Sequence, residues 1–273
     1  MRRLVPAALV HAALAAGAVL TVLPLAWMVS ASFMPTGEAS AVPPRLLPSV
    51  PTLAHYRELL GRLDLARQLG NSAFLATAVT AIALVVNSMA GYAFAKLRFA
   101  GRDRLFRILL AALVVPAQVT MLPLFLMLRG VGAIDTYWAV IVPGIASVFG
   151  IFLVRQYVVG IPDSVLDAAR VDGAGELRIY RTLVLWLAAP ILVTLGIFTF
   201  MGTWNDFLWP LVVLADRDRY TLPVALANLA GEHVQDTELM MAGAVLTVLP
   251  VTLLFVALQR WYVAGIMAGG VKE

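Results

Sequence analysis

Ile161-Pro162-Asp163-Ser164-Val165-Leu166-Asp167-Ala168-Ala169-Arg170-Val171-Asp172-Gly173-Ala174-Gly175-Glu176 is a polar, helix-prone stretch between two long apolar segments, Thr136–Val154 and Thr182–Asn205. Arg178 and Arg181 continue it, so the connector occupies 161–181. Ile161-Pro162 ends the preceding element. Asp163 or Ser164 is expected to cap a new helix, where a carboxylate also suits the helix dipole. Val165, Leu166, Ala168 and Ala169 give that helix a short apolar side of little bulk. Gly173 suits the left-handed residue that ends it. Leu177, Tyr180, Leu183 and Val184 then resume an apolar helical pattern. The residues alone support two readings. One is a helix whose alanines dock closely into a soluble partner, with Asp167, Arg170 and Asp172 pairing across the contact. The other is an interfacial helix lying on lipid headgroups.

Outside this connector the chain is greasy. Of 273 residues, 61% are hydrophobic and 13% charged, about half the charged fraction of a soluble domain. Six segments lack acidic and basic residues for long enough to span a bilayer. The first lies between Arg3 and Glu38. The others are Leu69–Ala95, Ile108–Leu128, Thr136–Val154, Thr182–Asn205 and Leu239–Gln259. The expected fold is therefore all-α: a polytopic membrane protein with six transmembrane helices and the connector helix on one face. The first apolar run exceeds a signal peptide's core and contains Pro24 and Trp27, so it is read as a retained anchor. With six spans, thirteen Lys and Arg fall on the side of both termini and the connector, against seven on the other. That asymmetry places both termini and the connector in the cytoplasm.

Cysteine is absent, which excludes disulfides and thiolate chemistry. His11, His55 and His233 show no metal-ligand spacing, so no metal site is expected. No phosphate-binding loop accompanies Lys96 or Lys272, so the chain is not itself an ATPase. Nothing points to nucleic acid. The spans carry helix-breaking residues: Pro116 and Pro123, Pro143-Gly144 and Gly150, Pro190, Gly196 and Gly202, and Pro250. Such helices suit a bundle that lines a pathway and changes shape. Asn87, Gln118, Met121, Trp204, Asn205 and Asp206 are the candidate pathway-lining residues. Asn87 and Gln118 also suit hydrogen bonds between helices, and the two tryptophans, Trp204 and Trp209, suit an interfacial belt. For Asp206 a pore-mouth or structural role is favoured over direct contact with a solute.

Asp167-Ala168-Ala169-Arg170-Val171-Asp172-Gly173-Ala174 resembles the Glu-Ala-Ala motif of permease subunits in binding-protein-dependent ABC importers. Asp167 stands where that family usually has Glu, which keeps the charge and shortens its reach by one methylene. Leu185-Trp186-Leu187 stands where the family often has Leu-Pro-Leu. Met121-Leu122-Pro123-Leu124, Gly132-Ala133-Ile134-Asp135-Thr136-Tyr137, Phe152-Leu153-Val154-Arg155-Gln156, Trp204-Asn205-Asp206-Phe207-Leu208-Trp209-Pro210 and the tail from Gln259 to Lys272 resemble the carbohydrate branch, specifically its six-span, maltose-type subunit. The likeness extends from about Leu69 onward and is weaker before it.

This resemblance implies one permease domain over 1–273, with the first span and an extracytoplasmic loop in 1–68 and a five-span core in 69–273. It implies that the 163–178 loop is a coupling helix, with Asp167, Ala168, Ala169, Arg170, Asp172 and Gly173 at the ATPase contact. The implied partners are a second homologous permease, a dimeric cytoplasmic ATPase, an extracytoplasmic sugar-binding protein and membrane lipid. The implied setting is the inner membrane of a bacterial cell. No cofactor is expected on this chain, and ATP is expected to serve the ATPase. The implied function is uptake of an oligosaccharide or related carbohydrate, and the chain itself is no enzyme. The alternative is a self-sufficient secondary transporter of small polar solutes. It would call for charged residues near the bilayer midplane, and the six segments have none.

Overall fold

The computed structural model describes residues 7–43, 45–62, 64–232 and 236–270. Arg2, Arg3, His233 and Lys272 lie outside the described residues, as do the side chains of the 260–270 tail. The chain is 77% helical, without a strand among the described residues. In order the helices are α1 (Ala7–Ala31), α2 (Ala54–Arg62), α3 (Leu65–Lys96), α4 (Arg102–Ala111), α5 (Ala117–Gly130), α6 (Tyr137–Gly144) and α7 (Val148–Val159). There follow α8 (Asp163–Val171), α9 (Glu176–Leu187), α10 (Ala189–Trp204), α11 (Leu208–Val213), α12 (Leu222–Glu232) and α13 (Thr237–Gly270). Four candidate spans are Leu9–Ala31, Leu65–Lys96, Tyr137–Val159 and Thr237–Gln259. Two bent pairs, Arg102–Val114 with Ala117–Gly130 and Glu176–Leu187 with Ala189–Trp204, bring the number to six when each pair is one span.

The third and fifth apolar segments are thus not single helices; their halves meet at 105° and 80°. Proline chemistry sets both breaks. Val115 is extended, with φ −79° and ψ 117°, the conformation a residue before proline prefers. Pro116 then precedes α5. In the fifth segment Pro190 has no N–H for the Trp186 carbonyl and its ring would crowd that oxygen. It sits instead in the first turn of α10, where no intrahelical partner is lost. Pro123, Pro143 and Pro250 remain inside helices.

The chain forms two compact units, one from Met1–Ala66 with Ala225–Pro250 and one from Arg67–Val224 with Val251–Glu273. In the first, the apolar side chains of α1 from Leu9 to Leu25 are exposed. Beyond α1 the chain tightens around Ala31, Met34 and Ala39, packed by Trp27 and Met241. Buried Glu238 accepts the Ala39 N–H at 2.6 Å, and the His55 ring bonds the Met34 carbonyl at 2.9 Å.

In the second unit α3 is the organising rod. Gly91 lets α7 approach: a Cβ there would stand 2.7 Å from Val154. At the first turns of α3, Asn71 donates to the Asp218 and Tyr220 carbonyls at 2.8 and 2.9 Å and accepts from the Tyr137 hydroxyl at 2.8 Å. Asp135 accepts from the Ala215 and Asp216 N–H groups and pairs with Arg219 at 2.6 Å. The Asp216 N–H, with that of Ala215 and the Arg219 guanidinium, holds the Asp135 carboxyl below the usual carboxylate range. At the other end of α3, Lys96 meets the connector. The 214–221 loop and the connector therefore lie at opposite ends of one 32-residue helix.

Candidate functional site

The connector folds as the helix–turn–helix its sequence suggests, with one change at its start. Pro162 precedes α8 and Asp163 is its first residue, and neither Asp163 nor Ser164 makes a capping bond. The Asp163 carboxylate instead takes the Lys96 ammonium at 2.6 Å. A tertiary ion pair has outcompeted the local cap, while the charge still favours the helix N-terminus. Lys96 holds its Asp163 carboxyl below the usual carboxylate range. Lys96 also donates to the Ile161 and Val159 carbonyls at 2.6 and 3.3 Å, tying the end of α3 to the end of α7.

Gly173 ends α8 at φ +80°. The Ala174 N–H reaches the Ala169 carbonyl at 2.9 Å and the Gly173 N–H reaches the Arg170 carbonyl at 3.0 Å. These two bonds form a Schellman turn. A Cβ at Gly173 would meet nothing within 4 Å, so glycine is required there by its backbone angle and not by crowding.

Leu166 is 0% exposed. It packs in a cluster with Tyr92, Val154, Val158, Ile161, Ile179, Tyr180 and Val184. The rest of the expected apolar side is not buried: Val165 and Ala168 are exposed and Ala169 is half-buried. One leucine on a nine-residue helix therefore supplies most of its apolar anchoring. Polar links complete the mount. Arg170 donates to Glu176 at 2.8 Å and to Asp167 at 2.7 Å, and both bonds raise its already high pKa. The Tyr92 hydroxyl donates to Glu176, and the Ser88 and Tyr180 hydroxyls bond at 2.7 Å.

The outward face is what remains. Ser164, Asp167, Ala168 and Val171 are exposed at helical spacing, and Val171 is 87% exposed. Asp167 and Arg170, expected at a partner contact, first pair with each other. Asp172 and Gly173 are exposed beside them. Tyr180 is expected only as part of an apolar pattern and Glu176 only as the end of the connector; Lys96, Tyr92 and Ser88 carry no expected role in holding it. A lysine closing an otherwise uncharged span was the available signal for one of them.

The six pathway candidates separate. Gln118, Met121 and Asp206 line a cavity of about 380 Å³ with Thr120, Thr203 and Trp209. The Asp206 carboxylate also accepts the Trp209 N–H at 3.4 Å, at the start of α11. Asn87 is buried away from this cavity. Its carbonyl takes the Ser147 N–H at 3.0 Å, in the gap between α6 and α7. Trp204 is 2% exposed and stacks on Phe200. Asn205 is exposed and bonds back to the Met201 carbonyl at 2.9 Å.

Residues 87–267 match the family described as "Binding-protein-dependent transport system inner membrane component". The chain is 37% identical to the arabinooligosaccharides transport system permease protein of Halalkalibacterium halodurans, over 93% of this chain and 92% of that one. It is 32% identical to the lactose transport system permease protein of Rhizobium radiobacter, over 100% of this chain and 98% of that one. Its fold matches a chain in the crystal structure of a bacterial ABC transporter involved in the import of the acidic polysaccharide alginate. The TM-score is 0.83 at 24% identity, over 93% of this chain and 96% of that chain.

Proposed function

The chain belongs to the inner membrane components of binding-protein-dependent transport systems, and from that premise we propose that it carries an oligosaccharide or related carbohydrate inward, driven through α8 by a cytoplasmic ATPase. It is a multi-pass permease subunit of an ABC importer and a transport component, not an enzyme. Membership implies a partner permease, an ATPase and a solute-binding protein. Two permease relatives named for transport of arabinooligosaccharides and lactose support a sugar as cargo. In this reading ATP binds the ATPase alone, and Gln118, Met121 and Asp206 line part of the pathway.

One observation supports α8 as the coupling element above all. The helix is held from within by Leu166, Lys96 and Glu176, while its Ser164–Asp167–Ala168–Val171 face is uncovered. A push on that face moves the ends of α3 and α7 together with α9, because Lys96 and the Leu166 cluster join them. The thirteen-to-seven basic asymmetry supports an orientation with both termini and α8 in the cytoplasm and the 214–221 loop outside. With no native cysteine to remove, a cysteine at Ser164 is expected to label from the cytoplasm and one at Ala215 from outside. The reverse pattern would overturn this orientation.

Alone in liposomes with an ion gradient, the chain is expected to move no sugar; uptake is expected only with partner permease, ATPase, binding protein and ATP. Robust uptake by the chain alone would sink the proposal in favour of a secondary transporter. Asp167→Ala tests the docking face. The Asp167–Arg170 pair is an exposed i,i+3 pair worth about 0.2–0.5 kcal/mol, and Arg170 keeps Glu176, so insertion is expected to survive. Truncating one partner of a buried interfacial charge pair costs about 2–5 kcal/mol, so ATPase retention and uptake are both expected to fall. Asp167→Glu is expected to be tolerated. Normal uptake and normal ATPase pull-down with Asp167→Ala would remove Asp167 from the interface.

A further inference from the structure

We infer that α4 and the turn before it form a binding site for an anionic phospholipid. Within 97–111 the chain has four arginines, Arg98, Arg102, Arg104 and Arg107, and one carboxylate, Asp103, so four minus one gives +3. Asp103 is taken by Arg102 at 3.0 Å. Arg107 reaches a backbone carbonyl at 3.3 Å. Arg98 and Arg104 make no hydrogen bond or ion pair among the described residues; Arg98 feels the Asp163 carboxylate only at a distance, and that group is taken by Lys96 at 2.6 Å. Arg98, Arg104 and Arg107 are all exposed.

The orientation of α4 is fixed by Phe106. That ring is 7% exposed, lies 5.4 Å from the Phe94 ring, and carries the Arg155 guanidinium at 4.1 Å. With Phe106 inward, helical periodicity sets Arg104 and Arg107 on one outer stripe and Leu105, Ile108 and Ala112 on the stripe beside it. Leu105 is 52% and Ile108 60% exposed, and Phe99 is exposed in the preceding turn. The helix meets α5 at 105°, so it does not simply extend that half-span. Exposed guanidinium groups with no carboxylate in contact, beside uncovered apolar side chains, match the two chemistries of one phospholipid. The phosphate takes the arginines, and the upper acyl chain covers Leu105 and Ile108. A water-soluble anion would engage the arginines and leave the apolar stripe bare, which is why a lipid is the occupant of choice. The site lies next to the coupling region: Arg155, over Phe106, is on α7, whose last residue offers its carbonyl to Lys96.

The test uses the purified full-length chain, and in parallel the assembled importer, in detergent micelles doped with defined lipids. Retained lipid is counted by native mass spectrometry. Wild type is expected to retain phosphatidylglycerol or cardiolipin in preference to phosphatidylcholine. Each arginine contributes roughly fivefold to attraction by an anionic surface, so the R98Q/R104Q/R107Q triple variant is expected to lose about a hundredfold in affinity. The corresponding triple lysine variant is expected to retain most of it, which separates charge from fold. Leu105→Ser with Ile108→Ser is expected to weaken phosphatidylglycerol while leaving any binding of inorganic phosphate unchanged. Equal retention of phosphatidylcholine, unchanged lipid counts in the triple glutamine variant, or full displacement by millimolar inorganic phosphate would each overturn the inference. So would retention by the isolated chain that vanishes in the assembled importer, since a partner subunit would then occupy the patch.

Discussion

Sugar uptake by the assembled importer is expected to fall tenfold or more when Gly173 becomes Val, with membrane insertion intact. Gly173 stands at φ +80° at the end of α8. A non-glycine residue in that region costs about 1–2 kcal/mol, and β-branching makes it a still poorer occupant. The space around it is open, so the penalty is conformational. The chain relieves it by opening the Ala169–Ala174 bond and unwinding the last turn of α8. That turn carries Val171 and Asp172 on the exposed face, so the docking surface is lost without damage to the core. Substitutions are therefore expected to rank by tolerance of positive φ: Asn least harmful, then Ala, then Val. Uptake and ATPase pull-down are the measurements. Normal uptake with Gly173→Val, or a ranking by volume with Asn worse than Ala, would show that the turn does not matter for coupling.

Leu166→Ala is the other large effect. Truncating a fully buried leucine costs about 2–5 kcal/mol. A nine-residue helix has little stability of its own, so this loss falls on the attachment of α8 to the bundle. The expected result is a chain that inserts and retains some ATPase but transports at a tenth or less of the wild-type rate. Connector cleavage by a protease added to detergent-solubilised importer is expected to quicken. Leu166→Met conserves volume and is expected to be mild. Val171→Ala changes an 87% exposed side chain and is expected to leave proteolysis unchanged. Wild-type uptake and proteolysis in Leu166→Ala would refute the idea that buried anchoring of α8 transmits the stroke.

The spans were legible because hydrocarbon imposes a length and an apolar composition that any sequence window can be tested against. The connector helix and its glycine stop were legible for a similar reason. Both rest on local backbone preference, and the Gly173 angle matches the reading. The cap is not legible in the sequence, because Asp163 has a local option and a distant one. Only folding brings Lys96, 67 residues away, within 2.6 Å. The bends were half legible. Pro116 and Pro190 were visible as interruptions, but Pro123, Pro143 and Pro250 looked alike and remain inside helices. Whether a proline breaks a helix in a bundle depends on what satisfies the freed carbonyl, and that is a property of neighbours. Asn87 and Gln118 likewise read as equals, yet one is spent on the Ser147 N–H and the other faces a cavity.

By itself, then, the sequence determined that this is an α-helical membrane chain, that its polar connector forms a helix ending at Gly173, and which family's motif that helix resembles. Each of these depends on neighbours in the chain or on uniform contact with lipid. The tertiary structure alone decided that Leu166 is the buried anchor, that Lys96, Tyr92 and Glu176 mount the connector on the bundle, and that Ser164, Asp167, Ala168 and Val171 face outward. These assignments follow from which distant groups meet, and an apolar or charged residue type does not encode its partner.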